Sequence, residues 1–300
     1  MHIDWNDLQV LVAVADAGSL SAASTRLRVT QPTVSRRIAE LEAAVGEPLF
    51  VRTVAGVTPT AFAERLLEPA RRMAEWAAEV DRTAERAETR PRGSVRITAA
   101  PGIAFDFVAP FAGWMRAKLP EVSLEVVSTV EYVDLSRREA DLALRFAPAA
   151  ARDVKTLAAL DFEVGVFGSE GYARSLPRRC KPADVQWIGW VHPLEHLSPN
   201  PELARLIPGF RPVFASDDFI VQQRAAEEGV GAIFLGRVDH RFSGAPRLVE
   251  IDVDLAPIHR TLHLLAARSA LEIPRIRAVA DLLVAELGRT VAKRRARKGG

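Results

Sequence analysis

Five side chains in one short run, Gln31, Thr33, Ser35, Arg36 and Arg37, are of the types that donate to phosphates and to base edges. Between and beyond them Val34, Ile38, Leu41 and Val45 recur at steps of four, three and four. That spacing predicts one helix with a single apolar stripe inward and the donors outward. Thr30 can cap this helix, and Pro32 sits in its first turn, where no hydrogen bond is lost. Ser19 can cap a preceding short helix, whose Ala22, Ala23 and Leu27 allow close approach, with Arg28-Val29 as the turn between them. Two short helices so joined are the arrangement that sets the second into a major groove, or else an ordinary helical pair whose arginines face solvent. The expected DNA contacts are therefore Ser19, Thr30, Gln31, Pro32, Thr33, Ser35, Arg36 and Arg37, with Arg52 from the hairpin that follows. Four arginines and no acid lie between Ala17 and Ala39, whereas over residues 1–62 the acids outnumber the bases by one. Positive potential is focused on the helix pair. The plainer use of Arg36 is a surface pair with Glu40.

Other candidate chemistry is thin. Gly168-Ser169-Glu170-Gly171 lacks the spacing of a nucleophile elbow. Gly229-Val230-Gly231 lacks the third glycine of a dinucleotide loop and precedes a strand. His192 and His196 stand four apart, as do His259 and His263. Pro193 interrupts the first pair and the second lies partly on a strand, so neither presents two imidazoles on one helical face. No metal, cofactor or catalytic constellation is expected.

Strand ends are the better place to look, because ligands of open α/β sheets sit where strands finish and helix N-termini offer free N–H groups. Three such ends are legible: Ala100-Pro101-Gly102-Ile103, Ser128-Thr129, and Ser216-Asp217-Asp218. The candidate effector residues are Gly102, Ile103, Ser128, Thr129, Arg145, Ser216 and Asp217, with Arg145 as a clamp for a carboxylate. Each has a structural alternative: Ser216 as a helix cap, Arg145 as partner of Asp141 or Asp161, Trp190 as core or as an apolar cleft wall.

These residues need elements to hold them. Asp4–Asp16 reads as an amphipathic helix, and Pro48–Arg52 with Gly56–Thr58 as a two-stranded wing about a Val54–Gly56 turn. Ala61–Glu88 is a long helix with Leu66, Ala70, Met73, Ala77, Val80 and Ala84 at steps of four and three, the seam of a coiled coil, kinked at Pro69. Thr89–Gly93 breaks it. Strands are then expected at 94–99, 122–127, 141–145, 163–166, 187–191, 231–235 and 263–266. Helices are expected at 102–119, 133–138, 218–228 and 276–287. This alternation predicts parallel α/β layers in two lobes. A chain of 300 residues, 48% hydrophobic and 26% charged, has the composition of a globular protein with room for several domains. Its single cysteine, Cys180, excludes an intrachain disulfide and suits a reducing cytosol. The N-terminus does not read as a signal peptide, and no apolar run is long enough to span a bilayer. The run after Gly288 carries six bases and no acid and is expected to be disordered.

The ordered combination of AGSLSAA (17–23), TQPTVSRRI (30–38), Leu41-Glu42 and the Leu49-Phe50-Val51-Arg52 run resembles the LysR-type transcriptional regulators, over nearly the whole chain. The resemblance implies an α-rich winged helix-turn-helix at 1–60 and a dimerising linker helix at 61–88. It further implies a hinge at 89–93 and a two-lobed α/β effector domain at 94–288, like periplasmic solute-binding proteins, with crossovers near 163 and 267. The basic tail fills 289–300. Function by this resemblance is sequence-specific DNA binding controlled by a small organic acid or similar metabolite, in a cytoplasmic homodimer or homotetramer and without catalysis. The alternatives are a solute-binding protein or enzyme with a helical extension, and an architectural DNA-binding protein without effector.

Overall fold

The computed structural model describes residues 3–53, 56–86, 89–149, 151–243 and 247–297, and only the backbone of Arg52 and of 291–297. The chain divides into two compact units, Met1–Ala84 and Glu85–Gly300.

In the first unit, α1 (Trp5–Ala17) starts where the Asp4 carboxylate accepts from the Asn6 amide at 2.7 Å and ends at Gly18 in the left-handed conformation. It is apolar on two faces and builds a core on each. Leu8, Leu11 and Val12 pack with Leu41, Leu49, Ala63, Leu67 and Ala70. Val10, Ala13 and Val14 pack with Ala23, Val34 and Ile38. Between these cores lie α2 (Leu20–Leu27) and α3 (Gln31–Val45), the latter seated by the expected stripe Val34, Ile38 and Leu41. An antiparallel wing follows, β1 (Phe50–Thr53) with β2 (Gly56–Pro59); of its expected turn, Val54 and Ala55 lie outside the described residues. Then comes α4 (Ala61–Glu85), capped by the Thr60 hydroxyl, which accepts from the Ala63 amide at 3.1 Å. Pro69 lies inside it.

In the second unit, β3 (Gly93–Ala99) leads into a helix in three parts: α5 (Pro101–Ile103), a π-helical turn (Ala104–Val108) and α6 (Ala109–Arg116). Next come β4 (Val122–Ser128), β5 (Leu142–Arg145) and a long β6 (Val154–Gly168). They are followed by α7 (Glu170–Ser175), β7 (Ile188–Trp190), α8 (Asn200–Leu206), β8 (Phe214–Ser216) and α9 (Phe219–Glu227). The unit closes with β9 (Ile233–Gly236), β10 (Val249–Ile251), β11 (Ile258–Ala267) and α10 (Pro274–Arg297).

The main sheet runs β10-β6-β11-β5-β3-β4, with β9 on β6. It is mixed where parallel layers were expected: β3 pairs parallel with β4 and β5, but β11 pairs antiparallel with both β5 and β6. The reason is that β6 and β11 are long and run side by side, carrying the chain out to a second core and back. Lobe one is the core around β3, β5, β11 and α10, and lobe two holds Val166, Trp187, Leu203, Ile188, Ala226 and Ile233. Val164 packs on the first core and Val166 in the second, so the outward passage is at Gly165. The return lies between Leu255 and Leu262, earlier than the expected position near 267, because His263–Ala266 are already paired with β5.

Two further expectations are corrected. Val133–Arg138 is a set of turns, not a helix: the Asp134 carboxylate accepts from the Ser136 amide at 2.9 Å, and Arg138 takes φ 63°. The chain after Gly288 continues α10 to Arg297, because Arg, Ala and Lys are good helix formers, and Thr290 on that helix is buried with its hydroxyl donating to the Glu286 carbonyl at 3.0 Å.

Candidate functional site

The helix pair is oriented by its caps. The Ser19 hydroxyl accepts from the Ala22 amide at 3.1 Å, and that of Thr30 accepts from the Thr33 amide at 3.4 Å and lies 2.8 Å from the Thr33 hydroxyl. Arg28, at φ 56°, closes α2. On α3 the residues Gln31, Pro32, Ser35 and Arg36 are exposed and Thr33 is half-buried, which leaves one outward row at the helix N-terminus. Arg36 is 71% exposed, with Glu40 at 3.9 Å as a loose companion, a pair worth little in water. Arg37 is turned toward α1, 4.0 Å from Asp7, and so stands off the outward row. Asp16 gathers Arg71 at 2.7 Å and Arg26 at 3.9 Å. For Arg52 the backbone is placed opposite Val57, and its side chain lies outside the described residues.

The sequence reading missed what aims the wing. The Val57 amide donates to the Gly18 carbonyl at 2.8 Å, and a Cβ on Gly56 would stand 2.4 Å from that same oxygen. Gly56 also sits at φ 130°, so both space and backbone require glycine there. The Leu49 amide donates to Glu42 at 2.7 Å, tying the wing's entry to α3.

The six-residue seam on α4 splits. Ala70 is buried in the first unit's own core and Leu66 packs partly against it, so these two are already used. Met73 and Val80 are 45% and 69% exposed, Ala84 is exposed and Ala77 half-buried. Heptad counting omitted Trp76, which is 72% exposed and falls on the same stripe as Met73 and Val80.

In the second unit the expected strand ends do converge. Ser128 is in register with Ala99, and the Thr129 amide donates to the Ala99 carbonyl at 3.0 Å. From there the chain crosses the end of β3 to reach β5, where the Arg145 guanidinium donates to the Val133 carbonyl and lies 5.2 Å from the Tyr132 ring. Arg145 takes neither acid considered for it: Asp141 accepts from the Arg96 amide at 2.8 Å and Asp161 from the Thr261 hydroxyl at 2.6 Å. Burial lowers the Arg145 pKa from its ordinary value, against the pull of Tyr132 and Asp134. The Thr129 hydroxyl is occupied in part, accepting from the Glu131 amide at 3.0 Å, while Ser128 is exposed.

Across from this edge stands the start of α9. A Cβ on Gly102 would lie 2.8 Å from the Phe219 ring, so the N-termini of α5 and α9 touch. Ala104, the first residue of the π-helical turn, is the first whose amide finds the helix, donating to the Ala100 carbonyl at 2.8 Å; Gly102 and Ile103 precede it with their N–H groups at the open end. Ser216 accepts from the Asp218 amide at 3.1 Å, and Asp218, the cap of α9, accepts from Ile220 at 2.7 Å. Asp217 is exposed. Trp190 is core: its indole donates to the Ser198 carbonyl at 2.8 Å and its ring backs Phe219 at 6.4 Å. The exposed aromatics Phe105, Tyr132 and Phe146 went unread in the sequence, although Phe146 directly follows the end of β5.

The other candidates resolve as structure. His192 is exposed beside Glu195 at 3.6 Å, and His196 bonds the Pro193 carbonyl. His259 and His263 share one strand, where four residues span about 13 Å, too far for one ion. Among the described residues no group of three or more His, Cys, Asp or Glu gathers. Ser169 caps α7. A groove of about 520 Å³ on the side of β6 and β10 holds Arg179 and Arg237, already paired with Asp254 and Glu250.

Residues 5–64 match the family model described as bacterial regulatory helix-turn-helix protein, lysR family, and residues 88–288 match that of the LysR substrate binding domain. The Mau operon transcriptional activator of Paracoccus denitrificans is 28% identical over 233 residues, 78% of this chain and 79% of its own. The probable HTH-type transcriptional regulator LrrA of Synechococcus elongatus is 26% identical over 292 residues, 92% of this chain and 95% of its own. Among solved structures, the LysR-type regulator CrgA of Neisseria meningitidis is similar in fold, with a TM-score of 0.54 and 22% identity over 96% of this chain and 100% of that one. The virulence activator AphB of Vibrio cholerae is similar likewise, at a TM-score of 0.57 and 19% identity over 94% and 99%.

Proposed function

Because the chain belongs to the LysR family of bacterial helix-turn-helix regulators, we propose how it divides DNA reading, self-association and ligand sensing among its own residues. It is a DNA-binding transcriptional regulator that responds to a small-molecule effector, and not an enzyme. The outward row of α3 carries the reading of operator DNA: Gln31, Thr33, Ser35 and Arg36 stand at the exposed N-terminal end of a helix whose other face is fully seated. Ser19, Thr30 and Pro32 set that end, and Arg52 in the wing adds a phosphate contact.

Residues 61–88 link two copies. Supporting this is the exposed stripe of Met73, Trp76 and Val80, which a second α4 would cover. Trp76→Glu should then weaken the dimer by roughly 2–4 kcal/mol, as removal of a central aromatic anchor does. Unchanged mass in sedimentation at low micromolar protein would exclude the seam.

The effector is a small organic anion held in the second unit by Arg145, Ser128, Thr129 and the free N–H groups of Gly102 and Ile103, with Ser216 and Asp217 opposite. The observation that carries this is the Arg145 guanidinium, placed at the strand ends with a carbonyl and a ring as neighbours and neither candidate carboxylate. A footprint on the DNA upstream of its own gene, repeated with small organic acids, tests the whole reading. Two protected half-sites whose spacing or bend shifts with one acid are expected. A footprint that no acid alters over the range to tens of millimolar would remove the anion, and no footprint at all would remove the α3 assignment.

A further inference from the structure

Between β9 and β10 the segment Arg237–Ser243 leaves lobe two and packs on lobe one. At its start the Arg237 amide donates to the Glu163 carbonyl at 2.7 Å, and its guanidinium reaches Glu163 at 3.0 Å and Glu250 at 2.8 Å. Glu250 lies on β10 opposite Phe167, in lobe two, whereas Glu163 precedes the passage at Gly165, so Arg237 sits at the crossover and is held to lobe two through β9 and Glu250. Three residues later His240, only 7% exposed, places Nε2 2.8 Å from the Asp106 carboxylate, which lies in the π-helical turn. Its Nδ1 accepts from the Phe242 amide at 3.3 Å, which fixes the ring so that Nε2 carries the proton toward Asp106. The imidazole stands edge-on to Phe107 at 5.2 Å, and Phe242 packs into Phe107, Phe111 and Trp114. Arg241 lies over Trp114 at 4.9 Å and donates to the buried Glu286 on α10 at 3.3 Å.

A strap held to lobe two by β9 and the Arg237–Glu250 pair, and to lobe one at His240, has almost no slack. Only Val238 and Asp239 separate the two anchors, and the Val238 amide is already turned back onto the Gly236 carbonyl at 2.9 Å. Gly236 itself is pressed on Phe162, where a Cβ would stand 2.7 Å from the ring. Any change in the angle between lobes must therefore load the His240–Asp106 contact. Asp106 lies one helical turn beyond Gly102 and Ile103, on the same three-part helix. π-turns of this kind recur at functional sites because they break the regular ladder and let one stretch shift against the next.

We propose that Arg237–Phe242 is a third, non-covalent connection between the lobes, beside β6 and β11. In it His240 and Asp106 are positioning residues that tie the head of the ligand-facing helix to lobe two. Ligand at Gly102 and Ile103 moves the π-turn, the π-turn carries Asp106, and the strap passes the movement to Glu250 on β10. The consequence for regulation rests on the cleft reading above; the mechanical coupling does not.

Hydrogen–deuterium exchange on the full-length chain tests the coupling without any ligand. In His240→Ala the amides of 104–109 should exchange about tenfold faster, the scale set by losing one hydrogen bond to a charged group. In Asp106→Ala, a change at an exposed side chain, the amides of 238–243 should loosen in turn, and Asp106→Asn should loosen them less. His240→Gln, which can still donate toward Asp106, should restore most of the protection. If each alanine variant loosens only its own segment, or if glutamine is as loose as alanine, the strap is local packing and the proposal falls. Failure of the cleft reading would show instead in the footprint, with these exchange results unchanged.

Discussion

On α3 the residues proposed to read DNA lie within a few positions of one another, and one cap at Thr30 orients them all. In the second unit Gly102, Thr129, Arg145 and Ser216 come from four segments far apart in the chain and meet only because β3, β4 and β5 are in register and α5 touches α9. The first arrangement depends on one helix being seated, the second on a sheet being assembled. A change on α3 should therefore act on one contact at a time. A change in the cleft should spread, because its residues also hold each other: Thr129 supports Glu131, and Val133 receives Arg145.

The largest effect expected would qualify that contrast, because the local reader depends on one distant contact. Gly56→Ala puts a methyl 2.4 Å from the Gly18 carbonyl, at a φ that L residues rarely adopt. Strain and clash together should cost on the order of 3 kcal/mol or more. The unfolding transition of the first unit should drop and operator binding be lost, with the second unit's transition unmoved. Equal stability of Gly56→Ala and wild type by calorimetry would mean that the wing is not held against α1.

Smaller and cleaner is Arg36→Ala. Its companion Glu40 is exposed and loose, so removal should leave stability within about 0.5 kcal/mol, as surface changes do. Specific DNA binding should weaken by about 1–3 kcal/mol if the side chain reads a base edge. Arg37→Ala should do less, since Arg37 leans to Asp7. Anisotropy titrations on operator and on random duplex separate the cases, and equal losses on both would deny Arg36 a base-reading role.

What the sequence showed, and what it hid, follows the same division. Ser19, Thr30 and the stripe of Val34, Ile38 and Leu41 are legible because capping and helical periodicity are local. Gly56 was legible as a turn residue, but its true constraint is a carbonyl many residues upstream. Trp76 escaped because strict heptad counting left it off the seam, although a stripe on a straight helix is wider. In the second unit, strand ends could be read from alternating apolar residues at Val95–Ala99 and Val122–Val127 and from the apolar run Leu142–Leu144. Most of β6 could not, since Lys155, Thr156 and Asp161 give it an exposed, polar face. Its antiparallel pairing with β11 is wholly non-local, and so are the mixed sheet and the earlier return crossover. The strap was invisible for the same reason: Arg237–Ser243 reads as a polar loop until Phe242 and His240 are seen among the aromatics of lobe one.

The second unit also carries a charge-dependent contribution. Burial opposes ionisation of Glu85, but the guanidiniums of Arg138 and Arg275 outweigh it and hold its pKa below the ordinary 4.5. A lowered carboxylate pKa stabilises the fold above the unfolded value, and that contribution is lost as pH falls through the folded one. Asp141 acts in the opposite sense: burial raises its pKa despite the Arg96 amide, so its protonation favours the folded state. Glu85→Gln should remove the acid-induced loss and leave the Asp141 trend exposed. Urea midpoints of the second unit should then hold steady or rise as pH falls below 4.5, where wild type declines. The same decline in both proteins would mean that the Glu85 pair is not what acid breaks.

The smallest effects expected are in the cleft, and their ratio is the sharpest test of the contrast between α3 and the cleft. Ser128 is exposed and in register with Ala99, and among the described residues its hydroxyl holds no partner, so Ser128→Ala should remove one ligand hydrogen bond alone. About 0.5 kcal/mol of effector affinity is the expected loss. Thr129→Val keeps the volume but strips the acceptor from the Glu131 amide as well, in the loop that brings Tyr132 and Val133 over Arg145. Its loss should therefore be larger, about 1–1.5 kcal/mol, because the clamp shifts along with the missing bond. In combination the two should cost more than their sum if Arg145 grips the ligand through that loop. DNA affinity without ligand should stay as it was in both. Calorimetry with whichever organic acid alters the footprint decides between outcomes. Equal, additive losses would mean that the cleft residues act one at a time as those on α3 do. No loss in either variant would put the ligand elsewhere in the second unit.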